Sequence, residues 1–417
     1  MRLFRDSIAE IQADRALRWF GIALATHHVL SVAWWIEKDS LAFLHSGAEA
    51  ICWPLVPGCE RLRLLGMTGL QTLLVFYTLS AVVVGLLFWL PPRFTSRAYW
   101  GMVALNVVKF SIMALDIRTR FNQHYMAFAI SAVFLFLPHK RNALRVMVVM
   151  FYFWAGTLKV NWEWISGAGL YRPLWFFHGR WVMVACAYVI LLEMGISWGL
   201  LARRGWIFWS SLAQAIAFHI MSWPIVGFFY PLLMFATLTI FPLCRLIPRP
   251  APVRGEIAPE GSLLQSVWKG REHRVVYGMM AVFSLFQLIP HAYPGDVAIT
   301  GEGRLYALHM FDARVVCTGT ATLHHPDGSS TVRDLSMGSG DHGGFRRIGC
   351  DPIVMYNRAR NLCRHRHNGE NFVDLDLSLT SRRTTEEQNH RVIETANFCS
   401  QDLHYNPFWH NSWILTE

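Results

Sequence analysis

The sequence predicts an all-α polytopic membrane bundle of about nine transmembrane helices with a C-terminal extracytoplasmic α+β domain. Its 417 residues are 53% hydrophobic and only 16% charged, whereas soluble domains carry about 25% charged residues. Apolar stretches of about 20 residues, the length that crosses a bilayer, recur over the first 290 positions. Strand and turn patterns are found after that point. These observations together define a membrane unit, residues 1–291, and a small domain, residues 292–417.

The predicted spans follow from the apolar stretches taken in order. They are 19–36, 68–90, 98–115, 123–138, 144–158, 181–201, 205–222, 224–243 and 275–291. Residues 1–18 are charged and amphipathic, which is typical of a helix at the membrane surface. The proline-rich stretch 244–262 is predicted to be a flexible connector.

Lysine and arginine predict the orientation of the bundle. If the N-terminus is cytoplasmic, the inner segments hold 17 Lys and Arg and the outer segments hold 8. Cytoplasmic loops are enriched in these residues, so we expect a multi-pass inner-membrane protein whose C-terminal domain lies outside. The membrane unit carries a net charge of +13 and the domain −3. We interpret the basic residues as topology signals and expect membrane lipid, not nucleic acid, as their partner.

The C-terminal domain has the local signals of strands and one helix. Residues 314–337 predict two strands around the turn at Pro326, Asp327 and Gly328. Asp351 and Pro352 predict the start of a helix. The alternation of apolar and polar residues over 371–380 predicts a half-buried strand.

Cysteines indicate an oxidising environment for the outer segments. The six cysteines predicted to lie outside are Cys52, Cys59, Cys317, Cys350, Cys363 and Cys399. Disulfides persist in such compartments. Cys52 and Cys59 are close enough in sequence to pair, but the connectivity stays open. The spacing matches no zinc motif.

Ionisable residues inside apolar spans are the candidate functional residues, because burying them in a membrane is costly. They are His27, His28, Lys109, Lys159, Glu193 and His219, with Asp116, Asn122 and His124 at the outer mouth of the third and fourth spans. The predicted topology brings His124, Lys159 and His219 to one depth in the outer leaflet.

Each candidate also has a structural interpretation. Lys159, at a helix end, could extend its amine to the lipid headgroups. The histidines could be hydrogen-bonded packing residues. Glu193 and Lys109 could simply pair with each other. The sequence alone leaves these alternatives open.

Four segments, in order, resemble the vitamin K-dependent gamma-glutamyl carboxylase family and its bacterial relatives, the horizontally transferred transmembrane domain proteins. The segments are "LDIRTRFNQHYM", "YFWAGTLKVNWEWISG", "AFHIMSWPIVGFFYPLLMFAT" and "QLIPHAYPGDVAITGEGRLYALHMF". The resemblance extends over about residues 15–400. Leu158 and Gln123 depart from the family pattern, which has lysine and asparagine at these positions.

The resemblance implies catalytic residues and a pocket. Lys159 matches the catalytic lysine of the family, and His124 matches a family histidine to which we assign a catalytic role. The residues expected to line the pocket of a quinol and its substrate are Asn122, Gln123, His219, Trp162, Trp164, Glu193 and Asp116.

The resemblance also implies a reaction. Its cofactors would be reduced vitamin K or a menaquinol-like naphthoquinol, O2 and CO2, with no metal. Oxygenation of the lipid quinol to its epoxide generates a strong base, which removes a γ-proton from glutamate in a peptide or protein before CO2 adds. The lysine that starts this reaction must be uncharged, and an apolar environment disfavours its charged form.

Two other functions remain compatible with the same residues. One is a quinol- and O2-dependent peptide-maturation enzyme that does not carboxylate. The other is a non-catalytic quinone- or lipid-binding membrane protein. An assay for conversion of hydroquinone to epoxide separates this last function from the carboxylase.

Overall fold

Most of the chain is helical, and a small antiparallel sheet lies near its C-terminus. The computed structural model describes residues 2–170, 172–174, 176–249, 271–309, 314–336, 348–365 and 371–416. Most of the predicted proline-rich connector therefore lies outside the described residues.

Every predicted span overlaps at least one helix. The helices before the sheet are α1 (Arg2–Ala13), α2 (Arg15–Glu37), α3 (Leu41–Leu44), α4 (Met67–Trp89), α5 (Thr95–Ala114), α6 (Asn122–Phe136), α7 (Lys140–Leu158), α8 (Trp162–Ile165), α9 (Arg180–Met194), α10 (Gly205–Val226), α11 (Phe229–Leu238), α12 (Ile240–Leu246), α13 (Arg271–Leu288) and α14 (Val297–Thr300). The amphipathic helix is shorter than predicted, because Asp14 accepts hydrogen bonds from Ala16 N and Leu17 N and so caps α2.

Five helical segments are long and apolar enough to cross a membrane. They are Arg15–Glu37, Met67–Trp89, Arg180–Leu201, Phe229–Leu246 and Arg274–Ala292. The prediction of a helical membrane protein therefore agrees with the structure, whereas the finer prediction of nine spans is not confirmed. The remaining four predicted spans coincide with α5, α6, α7 and α10, which are shorter, less apolar or more charged; α6 has only 15 residues.

The outer face of α4 shows why a lipid environment is needed. Six large apolar side chains on this helix are between 53% and 65% exposed: Val75, Phe76, Leu79, Val83, Leu86 and Trp89. Exposed apolar surface costs about 25 cal/mol per Å² in water, and no such cost arises in hydrocarbon. The opposite face, including Leu74 and Ala81, is buried against α2.

One predicted span boundary is shifted by a few residues. The predicted spans 205–222 and 224–243 leave residue 223 between them, whereas α10 continues through Pro224 to Val226. The helix ends at Gly227, whose φ of +80° lies in a region that glycine adopts without strain. Phe229 and Tyr230 therefore begin the next helix, α11.

The C-terminal sheet confirms the predicted strands and adds one. Its strands are β1 (Val315–His324), β2 (Ser330–Asp334), β3 (Asp374–Arg383) and β4 (His390–Thr395), in the antiparallel order β2-β1-β3-β4. The predicted helix, α15 (Pro352–His365), packs against β3. Buried Leu375, Leu377 and Leu379 form part of the core beneath it.

Three disulfides join the six cysteines that the sequence placed outside. The pairs are Cys52–Cys59, Cys317–Cys350 and Cys363–Cys399. Cys186 and Cys244, which belong to the membrane unit, are free thiols. Cys317–Cys350 links the segment just before α15 to β1, and Cys363–Cys399 links the last turns of α15 to the segment after β4.

Candidate functional site

Lys159 lies at the end of α7 and is almost completely buried. Its side chain is 2% exposed, so it does not reach outward to headgroups. Its Nζ donates hydrogen bonds to the Ala155 carbonyl oxygen at 3.0 Å and to Glu193 Oε2 at 2.7 Å. The amine is therefore held back against the bundle interior.

Glu193, on α9, completes a buried ion pair that joins α7 to α9. Its side chain is fully buried, and Oε1 has no hydrogen-bond partner among the described residues. The alternative in which Glu193 pairs with Lys109 is therefore wrong. Removing one partner from a buried pair typically costs about 3–5 kcal/mol, because the other charge is left uncompensated.

Gly156 explains part of the motif around Lys159. A Cβ at this position would lie 2.6 Å from Met194 Cγ and 3.0 Å from Glu193 Cβ. Only a glycine lets the end of α9 approach α7 this closely. The Ala155-Gly156 pair thus supplies both an acceptor for the amine and the space for its carboxylate partner.

The two tryptophans after Lys159 differ in position. Trp164 is buried, its ring centroid lies 5.3 Å from Lys159 Nζ, and its Nε1 donates to the Cys186 carbonyl oxygen at 3.0 Å. Trp162 is 64% exposed and so does not belong to the buried site.

His219 and two tyrosines extend the polar cluster around Lys159. His219 Nε2 lies 2.6 Å from the Tyr152 hydroxyl, and its ring centroid lies 5.3 Å from that of Tyr230. His219 interacts electrostatically with Lys159, and both tyrosines interact with Glu193. We call these five residues, Lys159, Glu193, Tyr152, His219 and Tyr230, the Lys159 cluster. Helices α7, α9, α10 and α11 contribute to it.

His124, on α6, is connected to this cluster through α11. It is fully buried, with its ring centroid 5.4 Å from that of Trp35 and 5.3 Å from that of Phe229. Phe229 is followed by Tyr230 of the cluster. Within the described chain neither ring nitrogen of His124 has a hydrogen-bond partner, which is unusual for a buried polar group.

A second buried group surrounds Lys109, on α5. Lys109 is 1% exposed, and its Nζ lies 5.2 Å from the Phe128 ring centroid. It interacts electrostatically with His27, His28 and His124. No carboxylate of the described residues forms an ion pair with it. We call Lys109, His27 and His28 the Lys109 group.

Two other predicted pocket residues, Asp116 and Asn122, hold connecting segments instead, and Gln123 does neither. Asp116 is fully buried in ion pairs with Arg63 and Arg118. Asn122 exchanges two hydrogen bonds with the backbone of His309. Gln123 is half-buried and forms no hydrogen bond within the part of the chain that the structure describes.

Sequence reasoning missed Glu163, which fastens the C-terminal domain to the segment after Lys159. Glu163 is 4% exposed and accepts hydrogen bonds from Arg383 Nη1 at 2.9 Å, Thr384 Oγ1 at 2.9 Å and Arg314 N at 3.1 Å. An acidic residue inside the aromatic "NWEW" stretch was the available signal.

The fold and site define a helical membrane protein with a buried lysine–carboxylate cluster next to an attached small domain. Comparisons with family models, with curated proteins and with solved structures give no match for this chain. Among the described residues, Cys52, Cys59 and Glu60 are close enough to hold a metal ion. The disulfide leaves Glu60 as the one anionic ligand of that group.

Proposed function

We propose that this protein is a membrane-embedded, naphthoquinol- and O2-dependent enzyme of the gamma-glutamyl carboxylase type. The observation that carries the proposal is the buried Lys159 amine, which lies 2.7 Å from a buried carboxylate and close to a histidine–tyrosine pair. Ionisable groups buried in a membrane bundle are usually functional. The resemblance of four sequence segments to the family supplies the chemistry.

The proposal includes the complete topology: nine spans, a cytoplasmic N-terminus and an extracytoplasmic C-terminal domain in the inner membrane of a bacterium. Two independent observations support it. The inner segments hold about twice as many Lys and Arg as the outer ones. In addition, the cysteines that this topology places outside form the disulfides, whereas Cys186 and Cys244 remain thiols.

The residues around Lys159 and His124 fit a quinol that carries hydroxyl groups on an aromatic ring system. Glu193 Oε1, His219 Nδ1 and both ring nitrogens of His124 are buried and lack partners among the described residues. Trp35, Phe229 and Tyr230 supply flat apolar surfaces beside them. When bound with O2, the quinol would supply the strong base needed to remove a γ-proton of glutamate, which no side chain can remove directly.

In this mechanism the Lys159 ammonium first gives a proton to the Glu193 carboxylate, to which it already donates a hydrogen bond. The neutral amine that results would then accept the proton of a quinol hydroxyl, while Glu193 holds the first proton. This relay replaces the simpler expectation of a lysine kept neutral by apolar surroundings alone. His124, whose ring nitrogens lack partners among the described residues, would hydrogen-bond a quinol oxygen and so orient the ring.

The same ion pair also favours a second candidate, a non-catalytic quinone- or lipid-binding protein. In that case Lys159 and Glu193 serve only to hold α7 against α9. The two candidates differ in turnover, which a single assay can detect.

The decisive experiment incubates the purified protein in lipid nanodiscs with reduced vitamin K, O2, labelled bicarbonate and a Glu-rich peptide. We expect vitamin K epoxide and a peptide heavier by the mass of CO2. Lys159→Ala should abolish epoxide formation, and a small added amine should restore part of it. Lys38→Ala, at the outer end of α2, is the control and should behave as wild type.

Three outcomes are distinguished. Epoxide without a mass gain identifies a quinol-dependent enzyme that does not carboxylate glutamate. Binding of the quinol without epoxide identifies the non-catalytic protein. Normal turnover by Lys159→Ala without added amine would refute the role of Lys159.

A further inference from the structure

The outer surface carries a cleft between the loop before α4 and helix α15. The cavity has a volume of about 290 Å³. Its loop wall is closed by the Cys52–Cys59 disulfide, and its other wall is α15. Asn361 Nδ2 donates to the Ala50 carbonyl oxygen at 2.9 Å and so fixes the two walls relative to each other.

The helical wall of the cleft is basic. Helix α15 contains Arg358, Arg360 and Arg364 and no acidic residue. Of the two arginines that line the cleft, Arg364 pairs with Glu60 at 3.1 Å. Arg360 forms one hydrogen bond, to the Tyr356 hydroxyl at 3.3 Å, among the described residues. A guanidinium has five donors, so Arg360 retains donors for a ligand.

We propose that this cleft binds a carboxylate side chain of an acidic peptide. Arginine binds carboxylates through two parallel hydrogen bonds, and Tyr356 and His404 lie in the same lining. The cavity volume suits one or two side chains of an extended peptide. The inference rests on the proposed function in one respect: the bound peptide is taken to be the glutamate-containing substrate of the enzyme.

The cleft is connected to the candidate active site by α15. Asp351, at the N-terminus of this helix, forms an ion pair at 2.7 Å with Arg120, four residues before His124. A peptide held along α15 is thus anchored on an element attached directly to the segment that carries His124.

The test measures binding of two dye-labelled peptides to the full protein in nanodiscs. The peptides differ only in that every Glu of the first is Gln in the second. We expect the wild-type protein to bind the Glu peptide and not the Gln peptide. The Arg360→Gln protein should bind the Glu peptide with an affinity about tenfold weaker than that of the wild type. Arg360→Lys should give an intermediate affinity, because the charge remains but the paired donors are lost. Arg391→Gln, an exposed arginine on β4, should bind as wild type.

Three results would overturn the proposal: equal binding of both peptides, wild-type affinity of the Arg360→Gln protein, or binding that follows the anionic lipid content of the nanodisc. If the peptide binds as expected but the protein forms no epoxide, the peptide-binding cleft is supported and the enzymatic proposal is rejected.

Discussion

Lys159 and Lys109 are two buried lysines in the same bundle, but their surroundings differ. Lys159 is 2% exposed and Lys109 is 1% exposed. Lys159 donates to a carboxylate, that of Glu193, and lies near the attachment of the C-terminal domain. Lys109 lies against Phe128 and near three histidines, with no ion pair among the described residues. Burial alone therefore does not distinguish a candidate base; the adjacent proton acceptor does.

The largest expected effect concerns the two lysines themselves. Lys159→Met should lower the free energy of unfolding by about 3–5 kcal/mol, because Glu193 is left as a buried charge without a partner. Lys109→Met should cost clearly less, because it leaves no carboxylate unpaired. Unfolding in mixed micelles measures the free energy of unfolding of both variants. Equal losses of stability would contradict the proposed difference between the two lysines.

The double variant Lys159→Met with Glu193→Leu sharpens this result. Replacing both members of a buried pair with apolar residues is often neutral for stability, so the double variant should regain most of the loss. It should nevertheless form no epoxide. If the double variant were as unstable as Lys159→Met, the loss of stability would come from contacts other than the Lys159–Glu193 ion pair.

Glu163→Gln should have the next largest effect, of about 1.5–3 kcal/mol, because hydrogen bonds to a charged group are lost. The change loosens the domain from the Lys159 side of the bundle. Cys186, whose carbonyl oxygen accepts from Trp164, should then react faster with maleimide, whereas Cys244 should react as before. Glu394→Gln, an exposed residue, is the control, and equal acceleration at both cysteines would argue against a local attachment.

Gly156→Val should separate α9 from α7 and cost about 1–3 kcal/mol through overpacking. The matched control is Gly278→Val on α13, where a Cβ meets no atom within 4 Å. The first variant should lose the Lys159–Glu193 pair and the second should not. Thermal unfolding measures the loss of stability, and the epoxide assay measures the loss of the Lys159–Glu193 pair. If both variants lost stability and activity equally, the cause would be valine in a helix and not the contact between α7 and α9.

The smallest effect is expected for an exposed pair in the C-terminal domain. Partial burial raises the pKa of Asp376, but hydrogen bonds from Asn397 N and His324 outweigh this effect, and its pKa lies below the ordinary value. This contribution to stability is present above the unfolded pKa of about 3.9 and is lost as the pH falls through the folded pKa. Both side chains are 40% exposed, so we expect less than about 1 kcal/mol. His324→Ala should slightly reduce the pH dependence of the free energy of unfolding below pH 5. A larger change would indicate that further charged groups interact with this pair.

The sequence predicted helices, strands and turns better than it predicted the contacts between distant residues. Local patterns were sufficient for the helices, for the turn at Asp327 and Gly328 and for the start of α15 at Pro352. Lys159 was identified because a single lysine in an aromatic segment is conspicuous. Its partner Glu193 was noticed, but its pairing stayed open because the order of neighbouring helices depends on packing between distant segments.

Contacts between the bundle and the domain were beyond sequence reasoning. Glu163 and Arg383 are 220 positions apart, and no local pattern relates them. Likewise, Asn122 was expected in a pocket but binds the backbone of His309. Strand β4 was not predicted, because its pairing with β3, which includes a register shift, depends on the assembled sheet.

The disulfides on either side of α15 have a consequence for biogenesis. In the proposed topology, the helix that forms one wall of the proposed peptide cleft is joined covalently to the rest of the domain only after export, when thiol oxidation becomes possible. A host without an exported oxidase would insert the membrane helices but leave the recognition surface incomplete. Production strains should therefore be chosen for their oxidative folding machinery before any substrate is tested.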